Sequence, residues 1–136
     1  MPGSGTPPRA GTGHLLSVLI GRRDQCRVEG DSMLPALADG DRVIVRRWSP
    51  VPSSERRDLE PLVGAIVVLQ HPLEPGTRLV KRVRSVCGAA LDVRGDNASA
   101  SRDSRQFGLV SAAALQGVVE AVLPRRALRA GRPPGS

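Results

Sequence analysis

Of the 20 cationic side chains in this 136-residue chain only one is a lysine, Lys81, within TRLVKRVRSV at residues 77–86. A guanidinium stays protonated in proteins, whereas a lysine amine can be desolvated into a neutral general base. A coding preference for arginine would explain the count by itself. Position argues for proton transfer: if residues 78–84 form a strand, Leu79, Lys81 and Val83 share one face while Val80, Arg82 and Arg84 share the other. That alternation places the amine among apolar side chains, where burial lowers its pKa, and sends Arg82 to a wetter face on which Arg82→Lys is expected to be tolerated.

A base needs a group to deprotonate. Ser32, in EGDSMLPALADGD, is the strongest local candidate. A serine after an aspartate is common at turns and helix caps, so Ser32 alone carries little. The third polar segment, RGDNASASRDSRQFG, reads first as a loop of turn formers. Its spacing allows Asp103 and Arg105 to pair and brace the loop, which leaves Ser101 to hydrogen-bond a neighbouring amine.

The elements that must hold these groups read as strands. DRVIVRRW opens after the turn signal ADGD, and VGAIVVLQH is a second and more continuously apolar run. GTRLVKRVRSV, ALDVRG and LQGVVEAVL follow. SPVPSSERRDLEP, between the first two, reads as an exposed connection. Helical periodicity is weak and confined to SMLPALA and VSAAALQG. The expected class is mainly β: several short antiparallel strands in sheets folded on each other, with little helix. Composition divides the chain into a flexible N-terminal tail over 1–23, a folded domain over 24–124 and a disordered basic C-terminal tail over 125–136.

A net charge of +7 permits contact with nucleic acid, anionic lipid or an acidic protein. The arginines are scattered, and one Trp and one Phe make no stacking platform, so nucleic-acid binding is not expected as the main function. Cys26 and Cys87 stand in no metal spacing with His14 or His71, so neither metal nor cofactor is expected. Two free thiols is the simpler reading of the pair, with a single disulfide as the alternative. HLLSVLIG is far shorter than the roughly 20 residues that span a bilayer, and no small-residue cleavage site follows it. The expectation is a soluble, cytoplasmic protein, with peripheral lipid contact left open.

Taken together and in order, GDSMLP, LVKRV and GDNASASRDSR followed by FGLV resemble the bacterial signal peptidase I family of serine proteases. The third box there is Gly-Asp-Asn, three variable residues, Ser, one variable residue and Asp-Ser-Arg, and this spacing holds from Gly95 through Arg105. The resemblance implies a signal-peptidase-like folded β-sheet core and a serine endopeptidase that removes a leader peptide from a precursor protein. Ser32 would be the nucleophile and Lys81 the base, with Ser101 orienting the amine and Asp103 and Arg105 forming a supporting ion pair. The Ser32 backbone N–H would hold the oxyanion beside Gly30, where some members supply a hydroxyl. Met33 and Pro35 would border the substrate groove.

The departures narrow the comparison. The family usually carries membrane-spanning helices ahead of the serine, and large members insert a subdomain where this chain has only residues 82–94. The common Gly-Asp ahead of the second strand is here Gly64-Ala65. So compact a core, with VVLQHP, is most similar to the nickel-type superoxide dismutase maturation proteases, and next to secretory or organellar inner-membrane signal peptidases. Self-cleaving repressors with a Ser/Lys dyad are a rival, but Ala10-Gly11 lies close to Ser32 with no DNA-binding helix pair ahead of it. An inactive peptide-binding module is the last alternative.

Overall fold

The computed structural model describes residues 5–9, 23–48 and 58–125. Seven strands form one antiparallel sheet: β1 (Arg23–Arg27), β2 (Arg42–Arg47), β3 (Ile66–Gln70), β4 (Arg78–Cys87), β5 (Ala90–Arg94), β6 (Val110–Ser111) and β7 (Leu115–Leu123). Their order across the sheet is β1-β2-β7-β3-β4-β5-β6. Among the described residues one short α-helix, α1 (Ser104–Phe107), stands between β5 and β6.

Both faces of the sheet are covered, which explains why β3 is apolar without alternation. Val67 and Leu69 enter one core with Val83, Leu91, Val93 and Val110. Ile66 and Val68 enter a second, with Cys26, Met33, Leu37, Val43 and Val45. Register breaks at Ile44/Val45, Val68/Leu69 and Val83/Ser85 are β-bulges, which add local twist. With that twist the sheet curls: the end of β1 and the start of β4, separated in the sheet by β2, β7 and β3, line a common cleft.

Several expectations change. SMLPALA forms turns with one helical-type bond, Leu37 N–H to Met33 O at 2.9 Å, because Met33 and Leu37 are drawn into the second core. VSAAALQG divides into β6, a 3-10 turn over Ala112–Ala114 and the start of β7, since Leu115 and Val118 are claimed by the first core. The connection after β2 ends in buried residues, with Leu59 and Leu62 packed in the first core. Its residues 49–57 lie outside the described ones, as do HLLSVLIG and the C-terminal tail beyond 125. From the N-terminal stretch read as a tail, Pro8 O accepts from Val122 N–H at 2.6 Å, and Arg9 bridges Val122 in parallel fashion. Cys26 is buried, Cys87 is exposed, and both are free thiols. No helix among the described residues is long and apolar enough to cross a membrane.

β7 approaches β2 closely at Gly117. A Cβ there would overlap Val45 Cγ1 and lie 2.8 Å from Arg46 O, a backbone atom that cannot swing away. Gly117→Ala is therefore expected to destabilise the fold by about 1–3 kcal/mol, read as a lower urea midpoint at unchanged slope. A midpoint equal to wild type would show that β2 and β7 have room to separate.

Candidate active site

β4 is what buries the lysine. Lys81 pairs with Val67 of β3, and its neighbours on the same face, Leu79 and Val83, pack into the first core. The residue is 4% exposed. Its Nζ donates to Ser101 Oγ at 2.9 Å. Ser101 in turn donates its only hydroxyl proton to Asp103 Oδ2 at 2.6 Å, so the serine can meet the amine only as an acceptor. The orientation of the amine is thereby set from one side.

Asp103 is fully buried, and its charge is answered on every side. Arg105 forms a two-point pair, Nε to Oδ1 at 2.9 Å and Nη2 to Oδ2 at 2.6 Å. Backbone N–H groups of Gly95 and Arg105 add bonds of 2.9 and 3.1 Å. Burial opposes the charge, but the bonds from Arg105, Ser101, Gly95 N–H and Arg105 N–H outweigh it and hold the carboxyl well below the usual carboxylate range. The same residue caps α1, with Gln106 reaching back to the Asp103 N–H at 2.8 Å. For Lys81 the balance runs the other way: burial lowers its pKa, Asp103 raises it and Arg105 lowers it, leaving it below that of a free lysine.

Ser32 sits in the turn after β1, half-buried, and borders the cleft. Its carbonyl accepts from Asn97 N–H at 2.8 Å, and Asn97 Nδ2 donates to Asp31 O at 3.1 Å. Gly95 links the groups. A Cβ on it would lie 2.6 Å from both Ser32 O and Ser101 Cβ, closer still to Ser101 Oγ, so only glycine lets these two segments meet. The Gly-Asp-Asn segment thus touches the Ser32 turn on one side and the lysine's partner on the other.

The remaining sequence candidates divide. Met33 is buried and lines the cleft, whereas Pro35 is exposed and does not border it. Gly30 has φ +78°, where a hydroxyl-bearing residue would be strained, and its N–H is donated to Asp39 Oδ1 at 2.9 Å. It shapes the turn, and its own donor is engaged elsewhere.

Arg82 overturns the expectation of a wet face. Its side chain is 13% exposed and makes a two-point pair with Asp96 at 2.9 and 2.8 Å, with further bonds to Gly64 O at 2.8 Å and Gly5 O at 3.3 Å. Strand alternation gives the side on which a residue points, and what covers that side comes from Asp96 and residues 5–9. An ammonium cannot reproduce the planar fork, so Arg82→Lys is not a neutral change. Ser104 was also missed; its Oγ accepts from Val93 N–H at 2.9 Å and ties α1 to β5.

The cleft itself, of about 380 Å³, runs between Cys26–Glu29 on one side and Gly76–Arg78 with Val80 on the other, with Ser32 and Met33 between them. In this stretch β4 is paired with β3 along one edge, and its pairing with β5 begins only at Arg82. Among the described residues, no strand pairs with the other edge of residues 78–81.

The family model for signal peptidase, peptidase S26, matches residues 14–94. The chain belongs to that family. Membership makes it a serine-peptidase type of hydrolase and accounts for the curled antiparallel β core. Ser32 and Lys81 fall inside the matched span, while Ser101, Asp103 and Arg105 lie beyond its end. No curated protein matches the chain.

Proposed function

We propose that the chain is a leader-removing serine endopeptidase in which Ser32 is the nucleophile and Lys81 the general base. One observation carries this reading: the sole lysine is buried, its pKa is lowered, and its amine is held by a serine whose own proton is committed to Asp103. Neutral Lys81 keeps one N–H on Ser101 and has its lone pair free to take the Ser32 proton. Ser32 Oγ then adds to the scissile carbonyl carbon, and the oxyanion is met by the Ser32 backbone N–H, which has no protein acceptor among the described residues. Lys81 returns the proton to the leaving amine as the C–N bond breaks. A water, deprotonated by the same amine, releases the acyl group.

The substrate is an extended peptide laid along the open edge of β4. A precursor of nickel-type superoxide dismutase is the proposed client, on the strength of the compact core and the short 82–94 connection. Co-expression with that precursor tests the assignment, and an uncut leader beside an active peptidase would count against this client alone.

The test of the chemistry is a pH profile of leader-peptide cleavage. Only the neutral amine accepts a proton, so activity is expected to rise with pH and level off above the Lys81 pKa. The apparent pKa should lie below the roughly 10.4 of free lysine. Ser32→Ala should be inert and should lose labelling by serine acylators. Cleavage that is flat with pH and survives in Ser32→Ala would end the proposal.

A further inference from the structure

The hairpin between β3 and β4 supplies one wall of the cleft through Gly76, Thr77 and Arg78. Apolar burial does little to hold it, since Leu73 at its tip is 72% exposed. Its shape depends instead on His71. The imidazole Nδ1 accepts from Leu73 N–H at 3.0 Å and from Glu74 N–H at 3.2 Å. The His71 N–H donates to Thr77 O at 2.8 Å, and Thr77 N–H to Glu74 O at 3.1 Å, closing the loop onto the residue that borders the cleft. Asn or Asp oxygens commonly organise turns in this way. An imidazole nitrogen can do so only while it is unprotonated.

The ring also joins the wall to the lysine's support. It lies against Phe107, with centroids 5.5 Å apart and planes inclined at 57°. Phe107 ends α1, whose capping residue is Asp103, the group that fixes Ser101. Among the described residues, charged groups on the elements around the ring include Glu74, Arg105 and Arg78. Glu74 Oε2 lies 3.9 Å from Nε2. From α1, Arg105 is turned to Asp103; from β4, Arg78 acts on Asp24 and Cys26. From the adjoining end of the sheet, Gln116 meets Gln70, and both are neutral.

We propose that His71 is a positioning residue for the peptide cleft: its neutral ring holds the 71–77 hairpin in the shape that receives substrate, and a proton on Nδ1 releases it. This inference rests on the peptidase reading of the cleft. Protonation places a donor where two backbone N–H groups need an acceptor, so the hairpin loosens and Gly76–Arg78 lose their alignment. Substrate affinity therefore falls once acid places a proton on Nδ1.

Three forms of the full chain test it: wild type, His71→Asn, which keeps an acceptor oxygen but cannot take a proton, and His71→Ala, which has neither. Amide exchange of Leu73 and Glu74 is followed by NMR, and KM and kcat for a leader peptide are measured, at about pH 7.5 and about pH 5.5. In wild type, both amides should lose protection in acid and KM should rise roughly fivefold, the worth of about one net hydrogen bond. In His71→Asn the acid rise in KM should be less than about twofold, although Lys81 titrates in it as before. His71→Ala should show raised KM at both pH values, with kcat less affected. An acid rise in His71→Asn equal to that of wild type, or Leu73 and Glu74 protection indifferent to pH, overturns the proposal. Amides that loosen while KM stays level overturn its link to the cleft. If no form cleaves any leader peptide, the peptidase reading fails, and the amide exchange still decides the hairpin.

Discussion

Lys81→Arg is expected to remove cleavage as completely as Ser32→Ala, a loss of at least about 10³-fold in kcat. The substitution keeps the positive charge and most of the side-chain length, so a role as a buried cation would survive it. Proton transfer would not, because guanidinium does not give up its proton near neutral pH. Among the described residues the amine meets one acceptor, Ser101 Oγ, whose own proton is already committed to Asp103. The comparison needs a neutral arginine change on the same strand. Arg84→Lys serves, since Arg84 is exposed at the Val83/Ser85 bulge, whereas Arg82 is clamped by Asp96 and Gly64. Turnover of one leader peptide by wild type and the three variants, each first shown to melt cooperatively, gives the answer. Substantial activity in Lys81→Arg would make the sole lysine an accident of composition.

Gly95→Ala should be nearly as damaging, although it removes no functional group. The added methyl would meet Ser101 Cβ and Ser32 O at 2.6 Å and Ser101 Oγ closer still. None of these can yield cheaply. Ser32 O is backbone bonded to Asn97 N–H, and Ser101 is held by Lys81 and Asp103. The Gly-Asp-Asn segment must move off the Ser32 turn or off the lysine's partner, and either shift misplaces the reacting atoms by a good fraction of an ångström. A loss of about 10²-fold in kcat follows from such misplacement, with a destabilisation of about 1–3 kcal/mol from overpacking. Ser101→Ala, which deletes a hydroxyl without crowding, should retain more activity than Gly95→Ala. Wild-type turnover in Gly95→Ala would show that the approach of these two segments is not needed for catalysis.

Local chemistry could be read from the residues alone. The types and spacing of Ser32, Lys81, Ser101, Asp103 and Arg105 were legible because an Asp-x-Arg pair, a lone amine and a turn serine keep their character in any fold. The apolar runs of β2, β3, β4, β5 and β7 were legible because burial of one or both faces leaves a periodic mark. β1 left none: three of the five residues of RDQCR are charged, and it becomes a strand only through pairing with β2, where Asp24 meets Arg47 and Gln25 meets Arg42. α1 was equally silent, since four residues carry no period and the helix depends on the Asp103 cap and on Ser104 reaching Val93. What covers Arg82, which residues wall the cleft, and the place of Gly95 between Ser32 and Ser101 emerge only from the folded chain. Those facts join positions far apart in the chain. They depend on strand register and on the curl that three bulges help impose, and many weak contacts acting together set both, so no local spacing encodes them.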